Sequence, residues 1–278
     1  MPELPEVEVL RRSLTPRLLG RTILDVEVAN RALREPVDEA GLRAAVRGRR
    51  VTGLGRRAKY LLIDIEGESS LVIHLGMSGR LTLVAEAEPK EKHEHVAFNL
   101  AGGERLRFRD PRRFGLVLAL PTAGLFEDRH FSGLGPEPLA GGKSGGLTGD
   151  VLAAAAARRR GPVKAFLMDS RVVVGIGNIY ACEVLHRAGI HPKRSVARIS
   201  RKRWDALARE VCGTLGDAIA EGGTTLNDFA DGVGNSGYFQ VSLSVYDREG
   251  EACPRCGKSL RRIVQSGRST FYCGGCQR

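Results

Sequence analysis

Four cysteines near the C-terminus carry the clearest chemistry in the chain. Cys253, Cys256, Cys273 and Cys276 form the pattern C-x2-C-x16-C-x2-C. Each short pair folds as a knuckle that aims two thiolates at one ion, and the spacing lies in the range of tetrahedral zinc sites. All four ligands are cysteine, so the shell would be closed and the metal structural. Two disulfides are the alternative, disfavoured because no secretion signal is visible. Arg261, Arg262 and Arg268 fall between the pairs on a predicted β-hairpin, which reads as a phosphate-contacting finger or as a solvated charged surface. Cys182 and Cys212 have no paired spacing and read as small buried hydrophobes. At the other end, Pro2-Glu3-Leu4-Pro5-Glu6 places proline and carboxylates where a first helical turn accepts them, which is ordinary capping chemistry.

The elements that would hold these residues differ along the chain. Val7, Leu10 and Leu14 recur at helical spacing, and Pro16 is expected to end or distort that helix. Short β-segments follow at 60–65, 70–74, 80–84, 95–100, 104–109 and 115–120, separated by Gly- and charge-rich turns, which predicts an antiparallel sandwich or barrel. Gly141 to Gly146 has the composition of a flexible linker, and Asp150 is placed to cap the Ala-rich stretch behind it. From there to about Glu221 the pattern is helical, with breaks at Gly161-Pro162, Gly175 to Gly177 and His191-Pro192. The expected class is α+β and multidomain: an antiparallel β-sandwich or barrel with flanking helices, a helical middle and a zinc-finger β-hairpin. The expected boundaries are 1–135, a linker over 136–149, then 150–243 and 244–278.

The chain has 278 residues and a net charge of +11, and only eight of its 43 basic residues are lysine. Arginine favours bidentate contact with phosphate, although a GC-rich coding bias would also enrich it. A polyanion is the leading partner class; no basic amphipathic helix supports a membrane surface instead. With 42% hydrophobic residues the chain can bury a core, which excludes disordered, collagen-like and disulfide-scaffold readings. No apolar run approaches the ~20 residues of a membrane span. A cytoplasmic protein is expected.

Read together, several segments resemble the bacterial formamidopyrimidine-DNA glycosylase family, the Fpg (MutM) branch of the Fpg/Nei proteins. They are Pro2-Glu3-Leu4-Pro5-Glu6, Arg56-Arg57-Ala58-Lys59-Tyr60, His74-Leu75-Gly76-Met77-Ser78-Gly79 and Asp110-Pro111-Arg112-Arg113-Phe114-Gly115. Leu134-Gly135-Pro136-Glu137-Pro138, Gly175-Ile176-Gly177-Asn178-Ile179-Tyr180, Gly222-Gly223-Thr224-Thr225 and the four cysteines complete the set, in order and across essentially the whole chain.

The resemblance implies a bifunctional enzyme of base excision repair. It would excise oxidised purines, 8-oxoguanine and formamidopyrimidines, from damaged double-stranded DNA and then cut the strand by β,δ-elimination. It implies Pro2 as nucleophile once Met1 is removed, Glu3 as acid/base, Glu6 as a second carboxylate, Lys59 as phosphate-binding proton donor and Arg268 in phosphate contact and δ-elimination. Met77, Arg112 and Phe114 match the residues that fill the void left by a flipped base, a step any enzyme acting at a stacked base requires. His93, Arg159, Lys164 and Asn178 match DNA-contacting positions, and Gly177-Asn178 opens a helix in what resembles a helix-two-turn-helix element. Thr224, Leu226, Asn227 and Asp228 match a loop that closes over the lesion. One structural zinc, no other cofactor, a monomer and association with the bacterial nucleoid are further implications. The Nei-type branch, which prefers oxidised pyrimidines, is the near rival; Leu4, Arg112 and Phe114 favour Fpg. A catalytically silent DNA-binding protein is the distant one.

Overall fold

The computed structural model describes residues 2–139, 146–223 and 243–278. The lesion-loop positions Thr224, Leu226, Asn227 and Asp228 lie outside the described residues, as do 140–145 of the glycine-rich stretch. The chain separates into two compact units, residues 1–132 with 221–240, and residues 133–220 with 241–278.

In the first unit, helix α1 (Leu4–Leu18) precedes β1 (Thr22–Val28), α2 (Glu39–Val46), β2 (Arg49–Arg57), β3 (Tyr60–Ile65), β4 (Ser69–His74), β5 (Arg80–Ala85), β6 (Glu94–Leu100), β7 (Glu104–Arg109) and β8 (Leu116–Pro121). All pairings are antiparallel, in the order β5-β7-β6-β1-β2-β3-β4-β8. The link between β1 and β2 is only two residue pairs wide, Thr22 with Arg50 and Ile23 with Arg49. The array therefore works as two four-stranded halves, and side chains from both meet in one core: Phe98, Leu106 and Phe108 from one, Leu61, Ile63, Leu71 and Ile73 from the other. This is the expected antiparallel sandwich, with its strands at the expected places.

Helix α1 closes that core with Val7, Leu10, Leu14 and Leu18. Pro16 neither ends nor shortens it. The ring removes one amide from the last turn, but the Leu19 amide still donates to the Thr15 carbonyl at 3.1 Å and burial of Leu18 keeps the turn closed.

The second unit holds α3 (Gly149–Ala156), α4 (Val163–Leu167), α5 (Asn178–Arg187), α6 (Arg201–Ala220) and a hairpin of β9 (Leu260–Gln265) with β10 (Arg268–Cys273). Helix α3 starts two residues earlier than Asp150 suggests. Thr148 is its cap, its hydroxyl accepting the Val151 amide at 3.3 Å, and Asp150 sits in the first turn. Trp204 of α6 packs its ring 5.4 Å from Phe166 of α4. Cys182 of α5 is buried against Cys253, Leu260, Phe271 and Cys273, so the hairpin shares a small core with the helices. Glu183, beside it, accepts three successive amides, from Ser244, Val245 and Tyr246, at 2.8 to 2.9 Å. That carboxylate fixes the segment that leads into the hairpin. No helix among the described residues is long and apolar enough to cross a membrane.

Candidate active site and nucleic-acid interface

The N-terminus of α1 gathers three of the expected catalytic residues. Pro2 is buried, and Glu3 and Glu6 are each 1% exposed. Glu3 is the N-cap residue of a reciprocal capping box: its carboxylate faces the Glu6 amide, and the Glu6 carboxylate reaches back to accept the Glu3 amide at 2.7 Å. Glutamate is not among the side chains that helices favour at the N-cap. Gly223 approaches the same place: a β-carbon added there would lie 3.4 Å from the Glu6 side chain.

Lys59 sits on the two-residue connection between β2 and β3, where Arg57 pairs with Tyr60. Ala58 before it has φ of 54°, a left-handed conformation that costs energy without a glycine and is retained where the surroundings impose it. Arg56 imposes it here, donating to the Ala58 carbonyl at 2.9 Å while Glu8 of α1 accepts from the same guanidinium at 3.3 Å. Burial would push the Glu8 carboxyl up, but hydrogen bonds from Arg11 and Arg12 and the charges of Arg11 and Arg56 bring it down to about 2.

Met77, Arg112 and Phe114 stand on two neighbouring turns. Gly76 has φ of 64°, and a β-carbon on it would meet the Phe114 carbonyl carbon at 2.4 Å, so only glycine allows the turns this close. The Arg112 guanidinium lies 5.1 Å from the centre of the Phe114 ring, and Phe114 is 46% exposed. His74 supports the first turn. Its Nδ1 accepts the Gly76 amide at 2.9 Å, and burial together with the charges of Arg34 and Lys59 lowers its pKa to about 3. His93 has φ of 69°, and its carbonyl accepts the Asp110 amide at 3.0 Å.

In the second unit, Asn178 is the first residue of α5. Its side chain is committed inward: Oδ1 accepts Lys164 Nζ at 2.5 Å and Nδ2 donates to the Ser269 carbonyl at 2.9 Å. Lys164 is 2% exposed and also donates to Thr270 Oγ1 at 2.6 Å. Lys164 thus bonds to both α5 and β10. With Nζ enclosed, it is an internal strut between α5 and β10. Arg268 is exposed at the start of β10, after a two-residue Ser266-Gly267 turn with both φ positive, the twist a tight hairpin prefers. Arg159 is held by Asp169 at 2.8 Å, and Asp169 also accepts the amide and two guanidinium bonds of Arg171.

The four cysteine sulfurs lie within 4.8 Å of one another, with Cys253 and Cys276 at 3.8 Å and Cys256 and Cys273 at 3.5 Å. Disulfide sulfurs would be about 2.05 Å apart. A tetrahedral zinc with Zn–S bonds near 2.3 Å requires sulfurs about 3.8 Å apart. The donor set therefore fits one structural zinc, which would clamp the base of the β9–β10 hairpin.

The sequence reasoning did not single out His74, Ser78, Asp110, Arg56 or Glu8. The first four lie inside the quoted segments; their roles depend on partners distant in sequence.

Comparison with known proteins agrees with this geometry. Residues 1–117 match the formamidopyrimidine-DNA glycosylase N-terminal domain, 134–230 the H2TH domain of the same proteins, and 250–278 the zinc finger found in FPG and IleRS. A formamidopyrimidine-DNA glycosylase of Halorhodospira halophila is 51% identical, and one of Xanthomonas campestris pv. campestris 48%, each over the full length of both chains. Among solved structures, Lactococcus lactis Fpg (MutM) in complex with DNA containing N7-benzyl-Fapy-dG matches with a TM-score of 0.91 and 30% identity over all of both chains. The same protein with abasic-site DNA matches with a TM-score of 0.90 over 99% of each. The chain belongs to the formamidopyrimidine-DNA glycosylase family, DNA-repair glycosylases built from these three regions in this order.

Proposed function

We propose that the chain removes oxidised purines, 8-oxoguanine and formamidopyrimidines, from damaged double-stranded DNA and then cleaves the strand at the abasic site. The observation that carries this reading is the burial of Pro2 beside Glu3 and Glu6 at the start of α1. Once Met1 is removed, Pro2 is a secondary α-amine. Its pKa lies near the α-amino range of about 7.7–8.0 rather than the 10.4 of a lysine, so far more of it is unprotonated at neutral pH.

Its lone pair attacks C1′, the C1′–N9 bond breaks, and the base leaves with the bonding electrons and takes up a proton. Glu3 protonates the ring oxygen as the sugar opens. The resulting C1′=N⁺ iminium has no N–H to lose and stays cationic. It acidifies C2′; loss of that proton expels the 3′ phosphate, and a second elimination expels the 5′ phosphate. Lys59 donates a proton in the first elimination and Arg268 binds phosphate for the second. Glu6 holds the Glu3 amide and so the approach of Pro2.

Met77, Arg112 and Phe114 enter the duplex where the damaged base was, with Arg112 facing the unpaired cytosine. His93, Arg159 and the amides of α5 beside Asn178 hold the backbone; Thr224, Leu226, Asn227 and Asp228 close over the base. In this scheme residues 1–135 carry the chemistry, 136–149 connect, 150–243 and the finger at 244–278 grip DNA, and a monomer acts on the bacterial nucleoid in the cytoplasm.

Borohydride trapping tests the reading. Untagged protein is incubated with a duplex holding one 8-oxoguanine opposite cytosine, and the cross-linked peptide is sequenced. A reduced adduct on Pro2 is expected. Tight duplex binding without an adduct, from protein whose N-terminus is shown to be Pro2, would sink the nucleophile assignment and favour the silent binder. Equal excision of thymine glycol and 8-oxoguanine would move the chain toward the Nei-type reading. That a Lactococcus lactis Fpg structure contains oxidised-pyrimidine DNA makes this arm necessary.

A further inference from the structure

Asp110 is fully buried, and among the described residues no cation pairs with it. A buried carboxylate is costly unless hydrogen bonds satisfy it, and this one is satisfied by donors from two separate turns. Oδ1 accepts the Ser78 hydroxyl at 2.7 Å and the Arg112 amide at 3.3 Å; Oδ2 accepts the Gly115 amide at 2.7 Å. Ser78 Oγ in turn accepts the Arg112 amide at 3.2 Å. The main chain of Asp110 is anchored as well, its carbonyl accepting His95 Nε2–H at 2.8 Å and its amide donating to the His93 carbonyl at 3.0 Å.

One side chain thus ties the turn that carries Met77 to the turn that carries Arg112 and Phe114. We propose that Asp110, acting through Ser78, is the positioning residue that keeps these two turns in register, and that selectivity for the base opposite the lesion depends on this bridge. The inference rests on the proposed entry of Met77, Arg112 and Phe114 into the duplex. None of the three is held by the core: Met77 is half-buried, and Arg112 and Phe114 are exposed and touch each other. Their relative placement comes from the backbone beneath them. Gly76 lets the turns touch, and the Asp110–Ser78 pair fixes how far one slides along the other. A slip moves the Arg112 guanidinium away from the plane in which an opposing cytosine offers its acceptors, while apolar filling by Met77 and Phe114 tolerates the shift. Discrimination therefore fails before excision does.

The test is the ratio of single-turnover excision rates for 8-oxoguanine opposite cytosine and opposite adenine. Both rates come from one preparation, so the active fraction cancels. Ser78→Ala cuts the bridge and leaves the Asp110 bonds to Arg112 and Gly115. Loss of that bond, and of the longer bond from the Arg112 amide to the same hydroxyl, predicts a fall in the ratio of about fivefold. Asp110→Asn sets an amide against a backbone donor, that of Arg112 or that of Gly115, and should lower the ratio further. Ser78→Thr, which restores the hydroxyl, should return it towards the wild-type value. Leu42→Ala in α2 serves as the stability control: its melting temperature falls and its ratio stays. An unchanged ratio in folded Ser78→Ala would overturn the inference, as would a ratio that drops equally in Leu42→Ala. A wild-type protein with no preference for cytosine would instead defeat the reading of the three inserted residues and this inference with it. If Asp110→Asn does not fold, the Ser78 pair decides alone.

Discussion

Glu8 and the Ala58 carbonyl are joined through one guanidinium, that of Arg56, which is 3.3 Å from the carboxylate and 2.9 Å from the carbonyl. Helix α1, which begins beside Pro2, is thereby tied to the turn that presents Lys59. The proposed nucleophile and proton donor come from elements more than fifty residues apart in sequence, and this is a direct polar link between them.

Glu8→Gln should loosen that link. Its side chain is 12% exposed, between a surface pair and a fully buried one, so a stability loss of about 2 kcal/mol is expected. The kinetic effect is more specific. Borohydride adducts on Pro2 should still form, while strand cleavage after adduct formation slows by about tenfold, the cost of ~1.4 kcal/mol in placing Lys59. Quantifying trapped adduct and cleaved strand from the same time course checks this. Equal slowing of both would mean that Glu8 serves the nucleophile, not the lysine turn.

Such links explain what sequence alone showed and what it did not. Strand positions were legible because alternation and turn residues are local, as in Glu104 to Arg109. The metal site was legible because two knuckles need only a spacing. Pro2, Lys59 and Arg268 are candidates only through a resemblance that covers whole motifs. Arg56, Ser78 and Asp110 stood inside those motifs, yet their partners lie 48, 32 and up to 34 residues apart in sequence. No periodicity encodes such pairs. The burial of Lys164 was illegible for the converse reason: a lysine in a basic chain reads as surface, and only packing shows it enclosed.

Acid lability should appear in two steps of the same sign. His74 is held neutral, its pKa taken from 6.5 to about 3 by burial and by the charges of Arg34 and Lys59. Protons therefore favour the unfolded chain, and its contribution is complete above pH ~6.5 and lost as pH falls towards 3. Glu8, lowered from 4.5 to about 2, contributes above pH ~4.5 and is lost below it. Thermal unfolding from pH 8 to pH 3 should show the melting temperature begin to drop below about pH 6.5. His74→Asn keeps an acceptor for the Gly76 amide without titrating there, so its decline should start nearer pH 4.5. An unaltered onset in that variant would remove His74 from the explanation.

Zinc removal should act on DNA binding through the finger. The cysteines anchor β10, at whose start Arg268 is exposed, and two of them belong to the small core shared with α5. Structural zinc contributes roughly 10–16 kcal/mol to finger-like folds, so chelation should unfold the hairpin. Duplex affinity and strand cleavage are expected to fall together. Arg268→Ala, with zinc retained, should instead remove a single phosphate contact and reduce the slope of log affinity against log salt by about 0.9. A zinc-free protein, verified by metal analysis, that binds duplex normally would count against the finger.

The Lys164 strut makes the sharpest distinction between contact and support. Lys164→Met leaves Asn178 Oδ1 and Thr270 Oγ1 without their common donor in a buried setting, a loss of about 2–4 kcal/mol in stability by the cost of stranded buried groups. Asn178 opens α5 and Ser269 follows Arg268, so two elements proposed to face DNA lose their shared brace. Affinity should drop for every duplex alike. A lysine that touched phosphate would also take about 0.9 from the salt slope when removed. As an internal strut, Lys164 should weaken binding at all salt concentrations and leave the slope as it was. Titrations of wild-type and Lys164→Met protein at several salt concentrations separate the two, and a reduced slope would restore the direct contact.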